Sequence, residues 1–390
     1  MSPVRTALSI SNTGMRRIRG TIVCIVASFL AAQVLFALVP KAFELWNAQF
    51  TDRLFRLRSV VRSLEPPYDP TIVHVDLNDT SLRELDNFYI NRSRSHYAAL
   101  IRNLASMGTA AQAYDLLFAA RMQEAEDRML MDATAGAGNV YFGMVFELSE
   151  EGKGRKKGRQ TPEGVAYLEQ TGWTVQTDGR IEDFYEGSPH RVTFPDLASL
   201  ARGGGFLSIK EDGDGVIRRV PLLVRSGGKY YPSLPFKVIC DYLQVTPDRV
   251  RVESGRIVLQ GARRAGAPSR DITIPIDRHG NMVINFVGPW ERMKHYHFVD
   301  VYRASESEEE LALWREELKD KIVVVSEVAT GSTDIGPVPT DLNFPLSGLH
   351  ANVMHTILTG SFLKTLAPSE MVLIELGLSA VIVGISIAFT

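Results

Sequence analysis

TIVHVDL, residues 71–77, reads as a strand: a short run of apolar and β-branched residues with an acid, Asp76, near its end. Residues 95–107, SHYAALIRNLASM, carry apolar side chains at helical spacing and stop before Gly108, a residue suited to the left-handed end of a helix. Residues 109–117, TAAQAYDLL, read as the next strand, again with an acid, Asp115, toward its end. A helix over 123–135 and a third strand, NVYFGMVF at 139–146, complete the series. Strand, helix, strand, helix, strand predicts a parallel sheet with right-handed crossovers. Far downstream, KIVVVSEV at 321–328 is a continuous apolar run, the pattern of a parallel strand buried on both faces. The loop ATGSTDIGPVPTDLNFPLSG follows it, and then the helix GLHANVMHTILTG.

The segments between are less regular. Residues 149–190 contain EEGKGRKKGRQ and scattered Gly, Thr and Asp, which predicts a long solvated insertion. Residues 205–223, GFLSIKEDGDGVIRRVPLL, predict two strands flanking an Asp-Gly-Asp-Gly hairpin turn. The same Asp212 and Asp214 resemble the start of a calcium loop, but the acid required at the twelfth position is missing. Residues 229–243 read as a turn leading into a helix. Residues 249–287 hold RVRVES, RIVLQG, DITIPI and MVINFVG, a meander or β-rich edge.

Both ends are apolar. Residues 21–39, TIVCIVASFLAAQVLFALV, contain no charge, and as a helix they would be roughly 28 Å long, the thickness of a bilayer core. The run is long for a signal peptide and lacks its cleavage pattern, so it reads as an uncleaved anchor. Arg16, Arg17 and Arg19 at its edge favour a cytoplasmic N-terminus over 1–20. Residues 371–390, MVLIELGLSAVIVGISIAFT, carry one charge, Glu375, and read as a second transmembrane helix within which the chain stops. That ending suggests a truncation or a fragment of a longer protein.

The expected fold is therefore α/β: a mixed, mainly parallel sheet flanked by helices, with a β-rich segment, between transmembrane helices. Residues 42–366 would form one extracytoplasmic domain, with 38 basic and 43 acidic residues. The whole chain of 390 residues has a formal charge of −2, which leaves no basic footprint for nucleic acid. Cys24 and Cys240 are its only cysteines, too few for a disulfide framework or a Cys-rich zinc module. Residues 43–62 continue as an amphipathic helix before the Pro-rich stop at 65–70. Its apolar stripe of Phe43, Trp46, Phe50 and Leu54 suits a homodimer contact.

Ligands of open parallel sheets bind beyond the carboxyl ends of the strands. That rule gathers Asp76, Asn78, Asp115, Thr330, Ser332, Thr333 and Asp334 as candidate ligand-binding residues. Of these, Asp76, Asp115 and Asp334 could hold a divalent cation. Each could equally cap the helix or turn that follows it. His350 and His355, five apart, fall on different faces of a helix, and His295 and His297, two apart, suit one face of a strand; without partner ligands all four read as structural or surface residues. Arg218 and Arg219 should point to opposite faces of a strand, one toward a buried acid and the other to solvent. Nucleophile-elbow, phosphate-loop and zinc-protease motifs are absent.

Several blocks together resemble the CHASE2 family, extracytoplasmic sensory domains of bacterial transmembrane receptors. They are DRLFRLR at 52–58, PTIVHVDLNDTSLREL at 70–85, MGTAAQAYDLLFA at 107–119, DGVIRRVPLLV at 214–224 and YPSLPFKV at 231–238, followed by INFVGPW at 284–290, KDKIVVVSEVATGSTDIGPVPT at 319–340 and GLHANVMHTILTGSFLK at 348–364. Two places depart from the family pattern. NFYINRSR stands where a Trp-Pro-rich segment is usual, and Val325-Ser326-Glu327 where the family has Val-Gly-Ala. The resemblance implies a signal-sensing input module in the bacterial inner membrane, with 42–366 periplasmic or extracellular. It also implies an output domain of cyclase or kinase type elsewhere. The expected partners are a small molecule, ion or protein as ligand, the membrane, and a second copy of the chain; no cofactor and no enzymatic activity of this segment are expected. The competing expectations are a membrane-anchored, metal-dependent hydrolase and an envelope scaffold.

Overall fold

A computed structural model describes residues 12–64, 66–85, 93–149, 161–178, 184–332, 334–364, 366 and 368–388; the side chains of 12–18, 21, 37, 40–43, 62, 368 and 386–388 lie outside that description. The chain divides into two compact units, Met1–Thr51 with Lys364–Thr390, and Asp52–Leu363.

The larger unit is built on a nine-stranded sheet. Its strands in chain order are β1 (Ile72–Leu77), β2 (Ala111–Tyr114), β3 (Val140–Ser149), β4 (Glu186–Val192), β5 (Gly203–Phe206), β6 (Leu223–Ser226), β7 (Lys229–Pro232), β8 (His295–His297) and β9 (Ile322–Glu327). They lie in the order β8-β1-β9-β2-β3-β4-β6-β7, with β5 also pairing β3. The run from β8 to β3 is wholly parallel, while β4 returns antiparallel to β3 and β7 antiparallel to β6. The helices include α1 (Asn12–Leu38), α2 (Pro40–Val60), α3 (Asp79–Glu84), α4 (Arg94–Ser106), α5 (Glu124–Ala137), α6 (Leu234–Tyr242), α7 (Phe298–Arg303), α8 (Ser347–Thr359) and α9 (Pro368–Ala388), with further ones at Pro162–Thr171, Pro195–Leu200 and Glu308–Leu318.

The apolar runs of the central strands follow from burial on both sides. Val73, Val75, Leu77, Val323 and Val325 pack into one core with Leu100, Ile101 and Leu104 of α4 and Phe298 of α7. Ile72, Ala111, Ala113, Ile322 and Val324 face the other way, into a core with Leu234 and Phe236 of α6 and Val353, Met354 and Ile357 of α8. Strand alternation thus places His74 and Asp76 on the α8 side, the side of Ile72.

Two expectations change, and a third, a meander or a β-rich edge at 249–287, resolves to the meander. Residues 149–190 are largely part of the fold, because β3 runs to Ser149, β4 pairs with it, and Tyr167, Leu168, Trp173, Phe184 and Tyr185 are buried. The basic cluster at 150–160 lies outside the described residues. Asp212–Gly215 does turn, but the segments beside it do not pair with each other as a hairpin. Gly203–Phe206 pairs β3, and Arg219–Pro221 pairs Asn281–Val283. The β-rich segment is a separate sheet: Val250–Glu253, Arg256–Ala262 and Arg270–Pro275 form an antiparallel meander, joined by Gln176–Asp178.

In the smaller unit, Gln33 donates to the Glu375 carboxylate at 2.5 Å, which gives the one charge of the 371–390 run a partner. Among the described residues no helix is long and apolar enough to cross a membrane. On α2, Trp46 is 74% exposed, Phe50 61% and Leu54 49%, while Phe43 has its side chain outside the description.

Candidate functional site

The carboxyl ends of β1, β9 and β2 carry a row of polar residues beneath α8. Asp76 is the register partner of Ser326, and the next step of the β9–β2 register sets Asp115 beside Ser326, where the Asp115 amide donates to the Val325 carbonyl at 2.9 Å. All three belong to the α8 side of the sheet by strand alternation.

At the β8 edge, His74 is opposite His295. Their rings stack with centroids 4.8 Å apart, and Trp290 meets both, at 4.8 Å from His74 and 4.3 Å from His295. His295 places Nδ1 2.8 Å from Asp76 Oδ2 and Nε2 2.8 Å from the Trp290 carbonyl oxygen. His74 is wholly buried, and burial holds its pKa well below the usual histidine value, so the ring is neutral. Burial raises the Asp76 pKa, against the opposing pull of His295. Ligand atoms of His74, Asp76 and His295 lie within 4.8 Å of one another.

Two strands inward, a cavity of about 310 Å³ opens where β2 ends. Asp115, Asp334 and His350 supply its ionisable groups, and Leu116, Leu117, Val145, Leu207, Ile209 and Leu346 its apolar wall. His350, in the first turn of α8, sets Nε2 3.2 Å from Asp115 Oδ1, with both side chains buried. Asp334 is pushed up to about 6, first by desolvation and then by the Asp115 charge, while His350 acts in the opposite direction. Asp334 as a residue exposes more than a third of its surface, so solvent screens these influences. A larger cleft of about 480 Å³ passes Arg121, Thr161, Glu163, His190 and Asp196. Its Arg121–Asp196 pair is solvent-exposed, whereas the smaller cavity converges on buried polar groups.

The sequence candidates therefore separate. Asp115 and Asp334 meet at the cavity, and Asp76 turns to His295. Asn78 caps α3, accepting from the Ser81 amide at 3.1 Å, and its Nδ2 lies 2.6 Å from His297 Nδ1. Thr330 donates its amide and hydroxyl to Asp79, and Ser332 accepts from the Asp334 amide. Thr333 lies outside the described residues. Among the described residues the ligand atoms that converge are those of His74, Asp76 and His295, not those of Asp76, Asp115 and Asp334. Spacing left His295 and His350 unselected because their partners come from distant segments; the one local signal was His74-x-Asp76 on a single strand face.

Two further contacts tie α2 to the body of the larger unit. Arg218 is buried among Asp52 of α2, Asp212 and Asp214. Arg219, half-buried, pairs with Asp212 and Asp277. One arginine thus takes the buried acid, as strand alternation suggests, and the other also finds partners. Asn285 accepts from Arg58 of α2 at 2.8 Å and donates to the Ser361 carbonyl, just past α8, also at 2.8 Å.

A family model described as the CHASE2 domain matches residues 23–388. No curated protein matches the chain. No solved structure matches it either.

Proposed function

The chain belongs to the CHASE2 family of extracellular sensory domains, and from that premise we propose that it is the input module of a transmembrane receptor. The observation that carries this reading is the Asp115–Asp334–His350 cavity at the carboxyl edge of the sheet. Two acids, a histidine and an aliphatic wall suit a small ligand with a cationic or hydrogen-bond-donating head and a short apolar body. A ligand that draws on His350 acts on the first turn of α8. The far end of that helix leads to Ser361, and Asn285 joins Ser361 to Arg58 of α2. The ligand shifts the equilibrium between two arrangements only by its difference in affinity for them.

In this reading residues 21–39 and 371–390 cross the inner membrane, with 42–366 outside. The uncharged run of the first and the single charge of the second support it. The exposed Trp46, Phe50 and Leu54 of α2 serve a homodimer, and a cytoplasmic cyclase or kinase receives the signal. The segment itself carries no catalysis. Cysteine cross-linking along α2 in intact membranes tests the dimer, and absence of cross-links at every position removes that part.

A thermal-shift screen of the full chain in detergent, using small primary amines and diamines, tests the cavity. A stabilising amine should lose at least tenfold in affinity in Asp115→Asn and Asp334→Asn. Retained affinity in both variants places the ligand elsewhere.

A further inference from the structure

His74 is a fully buried polar side chain in the middle of β1. Neither of its ring nitrogens has a hydrogen-bond partner, and the same is true of Asp76 Oδ1 beside it. A buried polar group left without a partner costs about 1–3 kcal/mol. The Asp76–His295 pair accounts for Asp76 Oδ2 and His295 Nδ1, and the Trp290 carbonyl for His295 Nε2, but His74 and Asp76 Oδ1 are left unexplained.

We propose that His74, Asp76 and His295 form a binding site for a first-row divalent metal ion of the zinc class, and that the ion staples β8 to β1. His74 and Asp76 are two residues apart on one strand face, and His295 is the register partner of His74 on the neighbouring strand. Three ligands on paired strands are held more firmly than ligands on loops. Their ligand atoms all lie within 4.8 Å of one another. A tetrahedral ion with bonds of ~2.0–2.2 Å needs them about 3.4 Å apart, so binding would draw the three side chains together.

The support around the ligands fits too. With Nδ1 of His295 on the metal, its Nε2–H donates to the Trp290 carbonyl, the second hydrogen bond that ligating histidines usually make. Two imidazoles and one carboxylate, without thiolate, favour zinc, cobalt or nickel over the all-oxygen sites of calcium and magnesium. His74 and Asp76 are buried, so the ion has no open face for a bulky substrate, and the site is structural or regulatory. Its natural target is β8, a three-residue edge strand whose one sheet partner among the described residues is β1.

The test uses the full chain in detergent, stripped with a chelator and titrated with Co²⁺, then with Zn²⁺ in competition. The expected result is one equivalent of Co²⁺ with the visible bands of a four-coordinate ion, displaced by one equivalent of Zn²⁺. His74→Phe keeps the volume and removes the ligand, and Asp76→Asn removes the charge; each should weaken binding by at least ~10–100-fold, the loss typical of even a supporting partner. His190→Gln, which removes an exposed histidine, should leave the stoichiometry at one. Substoichiometric metal in the folded wild-type chain overturns the proposal. So does undiminished binding by folded His74→Phe, or loss of binding in His190→Gln.

Discussion

Arg218 grips Asp52 through two parallel hydrogen bonds, Nε to Oδ1 at 2.9 Å and Nη2 to Oδ2 at 2.7 Å. Both side chains are buried, and the same guanidinium also reaches Asp212 at 3.1 Å and Asp214 at 2.8 and 2.9 Å. Asp52 belongs to α2, so this pair fixes the end of that helix that lies in the larger unit. The bidentate geometry resists rotation as well as separation.

Arg218→Leu should therefore be far more harmful than loss of a surface ion pair. It leaves Asp52 buried without its cation and two more carboxylates nearby, a change expected to cost about 3–5 kcal/mol. Asp52→Asn leaves Arg218 two carboxylates and should cost about 1–2 kcal/mol. Denaturant melts of both variants check the order. Equal stability of Arg218→Leu and wild type would mean that the network contributes nothing to folding.

Asn285 links Arg58 to Ser361 with two hydrogen bonds of 2.8 Å and donates its own amide to Thr356 Oγ1. Asn285→Leu should remove both side-chain bonds and leave Arg58 with the Phe286 carbonyl and its place over the Phe55 ring. The expected cost is about 1–3 kcal/mol. Hydrogen exchange should then rise both at the end of α2 and at 360–363. A rise at one end alone would show that Asn285 does not couple them.

The legible parts of this fold are those whose physics is local. β1, β2, β3 and β9 are recognisable because both faces are buried and the runs are short and apolar. The Asp-Gly-Asp-Gly segment misleads because its turn is local but its purpose is not: Asp212 and Asp214 hold Arg218, whose other acid, Asp52, is 166 residues away. Asp76 and His295 are 219 residues apart, beyond the reach of any spacing rule. The 149–190 segment looks solvated because its basic cluster dominates the composition, while Tyr167, Leu168 and Trp173 supply the burial. Asp115 and Asp334 were accessible because the strand-end rule is topological and needs no side-chain detail.

Gly205 stands where β5 passes the start of α6. A Cβ there would lie 2.4 Å from Leu234 Cα, 2.5 Å from its nitrogen and 2.6 Å from the Ser233 carbonyl carbon. These are backbone atoms and cannot swing aside like a side-chain tip. Gly205→Ala should destabilise the chain by at least the ~1–3 kcal/mol typical of overpacking. Gly213→Ala meets nothing within 4 Å and serves as the comparison. Similar melting of the two variants would mean that β5 and α6 separate at little cost.

Asp334 provides the pH test. Its folded-state pKa is raised from 3.8 to about 6, so between those values the folded state binds more protons than the unfolded one. The slope of stability with pH is then negative for this group: its contribution is most favourable below pH ~4, declines toward pH ~6 and is flat above. Solvent screening at this exposed residue makes the measured decline shallower than the full shift implies. Asp334→Asn should remove the decline, and Asp115→Asn should reduce it by deleting the neighbouring charge while desolvation remains. Urea unfolding of the three proteins from pH 4 to 7 measures the difference. A wild-type curve parallel to that of Asp334→Asn throughout this range would show that Asp334 keeps an ordinary carboxylate pKa and meets the cavity's ligand as a carboxylate at pH 5.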